Sequence, residues 1–261
     1  MDPSSQPSAP ELAVVMPIYN EAVNIAAVVE EWFACLERVA PNFILFALND
    51  GSKDETSTVL DQLACKFGPR LRVVHKTNSG HGHSCRKGYE LALAEQATWI
   101  LQIDSDGQCD PAFFRNLYSW RRNRDCVFGY RRTRDDGLGR VLISASCRVV
   151  LWLVTGTNLL DPNVPYRLVQ ATVLRRALRK IPADFDLQNI ALSLVLARDA
   201  SLRWKHCPIH FRARQGGTNS INYRKIAALG LRFLSNLYRL EHDENSHPGW
   251  WPRWTRRRLA S

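Results

Sequence analysis

The sequence predicts an α/β fold, a mostly parallel sheet flanked by helices. Two observations carry this. Apolar runs of strand length recur about every thirty residues with helix-patterned segments between them, which is the mark of βαβ units. Each of those runs ends in a short polar loop: Tyr19-Asn-Glu21, Asn49-Asp50, Asn78-Ser79 and Asp104-Ser-Asp106. In a parallel sheet such ends fall on one edge and so form one site.

The elements follow in order. Leu12 to Ile18 reads as a first buried strand. Ile25, Val28, Val29, Trp32, Phe33 and Leu36 then fall at helical spacing. Phe43 to Leu48 is a second strand, broken by Asn49-Asp-Gly-Ser52. Asp54 or Ser57 caps a helix that carries Val59, Leu60 and Leu63. Leu71 to His75 is a third strand, and the helix after Gly82 carries Tyr89, Leu91, Ala92 and Leu93. Thr98 to Ile103 is a fourth strand.

Beyond residue 120 the pattern changes. Cys126 to Tyr130 reads as a strand, Leu138 to Thr155 as a long helix, Phe185 to Asp199 as another helix and Leu202 to Ile209 as a strand. Tyr223 to Leu240 is amphipathic, with Ile226, Leu229, Phe233 and Leu237 on one face. The tail from Gly249 is rich in Trp and Arg.

The chain has 261 residues, enough for one large domain, and its 45% hydrophobic content supports a sizeable core. Thirty-five Lys and Arg oppose 25 Asp and Glu, for a net charge of +10. That balance favours anionic partners: nucleic acid, anionic lipid headgroups or phosphorylated small molecules. Nucleic acid is set aside, because no helix-turn-helix, zinc finger or RNA-binding aromatic motif is present and the expected site is acidic. Seven scattered Cys without a Cys-x-x-Cys fit a reduced, cytoplasmic chain. Residues 1–10 are polar and Pro-rich and read as a disordered lead-in. No uncharged apolar run reaches the roughly eighteen residues of a membrane span; the nearest, Val141 to Leu160, is interrupted by Arg148.

The chemistry concentrates at Asp104-Ser-Asp-Gly-Gln108, after the fourth strand. Asp, Ser and Gly are common turn formers. Two carboxylates one residue apart at a strand's carboxyl end also suit a divalent cation held against a diphosphate, because hard cations take oxygen ligands.

Three motifs in order, Pro17-Ile-Tyr-Asn-Glu21, Asn49-Asp-Gly-Ser-Lys-Asp54 and Asp104-Ser-Asp-Gly-Gln108, each follow an expected strand. Together they resemble glycosyltransferase family two, in its branch of dolichol- or polyprenyl-phosphate sugar synthases, over roughly residues 12 to 240. Gly129-Tyr-Arg-Arg132, Asp161-Pro-Asn-Val-Pro-Tyr-Arg167 and Arg212-Ala-Arg-Gln-Gly-Gly-Thr-Asn-Ser220 extend the resemblance. It implies an A-type glycosyltransferase fold with a Rossmann-like half. Residues 11–240 form the catalytic domain: 11–120 the nucleotide-sugar half, 121–222 the acceptor half and 223–240 the amphipathic helix, with 241–261 as a basic tail.

The resemblance also implies roles. Pro17, Tyr19 and Glu21 contact nucleobase and ribose, and Asp50 meets the base of a UDP- or GDP-hexose donor. Family members usually carry two acids where this chain has Asn49-Asp50. Asp104 and Asp106 hold ribose, metal and diphosphate, and Gln108 completes the shell of a Mg²⁺ or Mn²⁺ ion. Arg131 or Arg132, with Arg167, clamp the acceptor phosphate, and Arg214 contacts the donor diphosphate. Arginine suits this because its planar fork binds phosphate oxygens in pairs. The region Gly80-His-Gly-His-Ser-Cys85 runs along the donor site.

The implied reaction is inverting transfer of a hexose to a polyprenyl phosphate. An anionic phosphate acceptor needs little help from a base, whereas a hydroxyl acceptor needs one, and Asp161 is the candidate for it. The acceptor stays open between a phosphorylated lipid and a soluble small molecule. A lipid acceptor requires docking at a membrane surface, for which the helix Tyr223 to Leu240 and the tail with Trp250, Trp251, Trp254 and Arg256 to Arg258 are candidates. Core packing is the other reading of the helix, and a disordered end or a contact between copies of the chain that of the tail.

Overall fold

The computed structural model describes residues 9–134, 149, 151–153, 155–185 and 187–212. The strands are β1 (Leu12–Ile18), β2 (Phe43–Asp50), β3 (Leu71–Lys76), β4 (Trp99–Gln102), β5 (Cys126–Arg134), β6 (Arg167–Gln170) and β7 (Trp204–Phe211). They form one seven-stranded sheet in the order β3-β2-β1-β4-β6-β5-β7. The helices are α1 (Ile25–Val39), α2 (Thr56–Phe67), α3 (His81–Ala94), α4 (Phe114–Ser119), α5 (Ala171–Leu178) and α6 (Gln188–Ala197).

β1 pairs in parallel with both β2 and β4, and β2 with β3. Their carboxyl ends therefore share one edge. Every residue of β1 and β2 is buried, as expected of strands covered on both faces. That double burial is why they read as unbroken apolar runs rather than alternating ones. α1 buries Ile25, Val28, Val29, Trp32, Phe33 and Leu36. Each such side chain contributes roughly 1.5–3 kcal/mol. The exposed ion pairs Lys66–Glu30 and Arg70–Glu37, which also link α2 and the following turn to α1, contribute about 0–1 kcal/mol each. Packing decides the position of α1. Trp32 carries it onto α4 and the residue before β6, with its ring 5.9 Å from Phe114 and 5.8 Å from Tyr166.

α3 lies on β1 and β2. Gly88 allows the close approach: a Cβ there would stand 2.3 Å from Val15 Cγ1 and 3.1 Å from Leu48 Cδ2.

The second half departs from simple βαβ winding. β6 runs antiparallel to both β4 and β5, and β5 is parallel to β7. β6, α4 and α5 are not evident from sequence pattern. β6 has four residues and begins with Arg167, so it shows no apolar run of strand length. β5 and β7 run past their expected ends to Arg134 and Phe211. Of the expected helix at 138–155, the described residues 149, 151–153 and 155 are helical. The expected amphipathic helix at 223–240, the tail and the lead-in at 1–8 lie outside the described residues.

Candidate active site

A cleft of about 250 Å³ opens at the carboxyl edge of the parallel strands. β1 ends into it with Pro17, Ile18, Tyr19 and Glu21, and β2 contributes Asp50. Asn78, Gly80, His81 and Ser84 come from the β3–α3 connection and the first turn of α3. Asp104, Ser105 and Asp106 follow β4. Six residues singled out in the sequence, Pro17, Tyr19, Glu21, Asp50, Asp104 and Asp106, thus share one cleft.

The loops that form the cleft are tied to each other. After β1, Asn20 N donates to Ser52 Oγ (3.0 Å), Glu21 N to Thr56 Oγ1 (2.9 Å) and Ala22 N to Asp54 Oδ2 (3.2 Å). Lys53 N returns a bond to Asn20 Oδ1 at 2.8 Å. Asp54 Oδ1 also accepts from Thr56 N at the start of α2, close to the expected capping role. Gly51 sits at φ +66°, and a Cβ there would stand 2.7 Å from Asn78 N. A side chain at that position would be strained and would push the third loop away.

Asp50 organises the third loop. Its carboxylate accepts from Ser79 N at 2.9 Å, from Gly80 N at 2.8 Å and from Lys76 Nζ. Burial alone would raise its pKa. The Lys76 ammonium and the two amides more than offset that and hold it below the ordinary carboxylate value. Asn49, beside it, points elsewhere. Its Nδ2 donates to Ser57 Oγ (2.8 Å) and His75 Nδ1 (2.9 Å), and its Oδ1 accepts from Ser52 Oγ (2.6 Å). An Asp at position 49 would lack the two donors these contacts use, which gives a physical reason for the amide here.

Asp104 is held from two sides. His81 Nε2 lies 2.9 Å from its Oδ1, and Gln102 Nε2 donates to the same oxygen at 3.1 Å. An ionised carboxylate only accepts, so the imidazole Nε2–H is the donor. The Cys85 sulfur, 3.7 Å from Nδ1, and the Asp104 carboxylate raise the His81 pKa well above its ordinary value, against the desolvation that lowers it. His81 is the site residue that residue pattern alone does not find. The only signal was its place in a Gly-rich helix start on the expected donor side. His83 does not line the cleft.

Other expected site residues lie elsewhere. Gln108 is buried outside the cleft lining, and its Nε2 donates to the Arg212 carbonyl at 2.9 Å. Arg212 N donates back to the Gln108 carbonyl at 3.3 Å. Through these bonds Gln108 ties the acidic loop to the end of β7. Arg212 is itself fixed by Glu31 at 2.9 Å and Asp110 at 2.7 Å. Arg214, two residues further on, lies outside the described residues.

Arg167 is 1% exposed, and its guanidinium turns into the core. It donates to the carbonyls of Pro162, Val164 and Asn189 and to Ser193 Oγ. Those bonds satisfy a buried cation, and they correct the expected phosphate clamp to a structural role. Asp161 carries Arg131: its oxygens accept from Arg131 Nε (2.7 Å), Nη2 (2.5 Å) and N (3.2 Å). With both oxygens so engaged, Asp161 is an ion-pair partner rather than a poised base. Arg132 is exposed on the same strand.

The model of glycosyl transferase family 2 matches residues 13–181, from β1 through α5. The chain belongs to glycosyltransferase family 2. Over 243 residues it is 28% identical to the dodecaprenyl-phosphate galacturonate synthase of Rhizobium johnstonii, spanning 92% of this chain and 69% of that protein. It is 24% identical over 182 residues to the polyprenol monophosphomannose synthase of Mycolicibacterium smegmatis, 67% of each chain. Among solved structures it is similar to glucosyl-3-phosphoglycerate synthase from Mycobacterium tuberculosis in complex with Mn²⁺, uridine diphosphate and glucosyl-3-phosphoglycerate. The TM-score is 0.64 at 19% identity, covering 88% of this chain and 80% of that one. At that identity the likeness is one of fold, and the fold is the A-type expected from the motifs. This family 2 glycosyltransferase sets Asp104 and Asp106 at the carboxyl edge of its parallel strands.

Proposed function

We propose that this glycosyltransferase moves a hexose unit, with inversion, from a nucleoside diphosphate sugar to a polyprenyl phosphate. The observation that carries the reading is the convergence of Asp104 and Asp106 with Pro17, Tyr19, Glu21 and Asp50 in one cleft at the strand ends. Two relatives named for polyprenyl-phosphate products support the acceptor class.

Asp104 and Asp106 fit a divalent cation, Mg²⁺ or Mn²⁺. Among the described residues no cluster of three or more His, Cys, Asp or Glu closes a metal cage. Two carboxylates with the remaining ligands supplied by diphosphate and water suit such an ion. When bound it neutralises charge growing on the departing diphosphate. The protein's own groups do the rest. Tyr19 and Glu21 flank the nucleoside. His81 and Gln102 hold Asp104 in one orientation. Arg131, kept in place by Asp161, and the exposed Arg132 face the incoming acceptor phosphate.

In the displacement an acceptor phosphate oxygen forms the new bond to the anomeric carbon. The bond from that carbon to the diphosphate breaks, and its electron pair leaves with the diphosphate. The acceptor is already an anion, so no proton need be removed from it. The engagement of Asp161 with Arg131 agrees with that and disfavours a hydroxyl acceptor served by Asp161.

Transfer from a radiolabelled nucleotide hexose tests this. Label is expected in lipid product with a polyprenyl phosphate and not with the corresponding free polyprenol. Label in the polyprenol, or in neither lipid, overturns the acceptor assignment.

A further inference from the structure

Among the described residues no helix is long and apolar enough to cross a membrane. Exposed large apolar side chains are few, and four of them fall in the connection from β5 to β6: Val149, Trp152, Leu153 and Leu160, at 54, 55, 58 and 44% exposure. Val149, Trp152 and Leu153 stand at i, i+3 and i+4 on one helical face. Leu151 and Thr155, on the same helical stretch, are buried at 0% and 2%. The inner side is thus anchored in the core while Val149, Trp152 and Leu153 are each more than half exposed. Leu160 precedes Asp161, whose carboxylate grips Arg131, and exposed Arg132 follows on the same strand.

We propose that this face is a membrane-docking surface that seats Trp152 and Leu153 in the interfacial zone of an anionic bilayer. Two features favour a bilayer over a second copy of the chain. Trp prefers the interface between headgroups and acyl chains. The net charge of +10 and the exposed Arg132 complement an anionic leaflet. The proposal rests on the lipid-phosphate reading only for its purpose; the surface itself is read from exposure and charge. Docking here would bring a lipid-borne phosphate to the strand that carries Arg131 and Arg132.

The test is sedimentation of the full chain with vesicles of equal parts phosphatidylcholine and phosphatidylglycerol, without any polyprenyl lipid. The parent is expected to partition onto them, and Trp152→Ser/Leu153→Ser to partition about tenfold less or worse. Nucleotide binding in solution is expected to be the same for both, which shows that the variant is folded. Equal partitioning of parent and variant overturns the proposal, as does a parent that does not bind these vesicles. A parent that is dimeric in the ultracentrifuge and becomes monomeric on substitution also overturns it, and assigns the face to a second copy. Because no acceptor is present, loss of vesicle binding in the variant stands even if polyprenyl phosphate proves not to be the acceptor. Likewise, transfer to detergent-dispersed polyprenyl phosphate stands if the docking surface fails.

Discussion

His81 and Asp104 are joined across the cleft, imidazole Nε2 to carboxylate Oδ1 at 2.9 Å, with Gln102 on the same oxygen. The first carboxylate of the acidic pair is therefore oriented by the start of α3 before any ligand arrives. His81→Ala is expected to weaken nucleotide binding about three- to tenfold, a modest effect because the imidazole is half exposed. His81→Gln keeps a donor and is expected to recover part of the loss. The pH dependence has a definite sign. With the folded pKa raised above 6.5, the pair's contribution is full below that value and is lost as pH rises through the folded pKa. The difference between parent and His81→Ala in thermal stability is expected to shrink toward alkaline pH.

Asp50 gives the opposite slope. Its folded pKa is below 3.8, so its contribution is present above that value and is lost as pH falls through the folded pKa. Asp50→Asn leaves Lys76 without its buried partner. Its unfolding free energy in urea at neutral pH is expected to fall by roughly 3 kcal/mol, with the gap closing in acid.

Arg167 separates a structural role from a phosphate-binding one. Arg167→Met keeps volume but strands three carbonyls, and it is expected to destabilise the fold by roughly 3–5 kcal/mol. Nucleotide affinity of the folded protein is expected to change by less than about twofold, since no donor of this guanidinium faces the cleft. A large affinity loss at unchanged stability would restore the clamp.

Gly88→Ala tests the seat of α3. Its new methyl would overlap Val15, which lies in a strand buried on both faces and has little room to move. A loss of about 1–3 kcal/mol is expected from denaturant titration.

The first half of the molecule was legible because its strands are buried on both faces and its helices carry one apolar stripe. Both patterns are local, and the polar loops at the strand ends then fall together by topology. The residues of those loops, Pro17 to Glu21, Asp50 and the acidic pair, needed only that topology to be placed in one cleft. What escaped depends on side-chain direction across long separations. His81 meets Asp104 from 23 residues away. Arg167 turns inward because carbonyls at 162, 164 and 189 happen to converge on it, whereas arginines in a basic chain ordinarily point out. Gln108 sits in an acidic motif yet bonds to a residue 104 positions later. β6 was hidden because four residues beginning with an arginine carry no period.

The most direct measurement is calorimetric titration of the purified protein with UDP and with GDP, in Mn²⁺ and in EDTA, alongside Asp106→Ala. Binding of one nucleotide is expected in Mn²⁺, weakened about a hundredfold or more by EDTA and by the substitution. Binding that is indifferent to both, or absent for both nucleotides, would contradict a donor site built on Asp104 and Asp106.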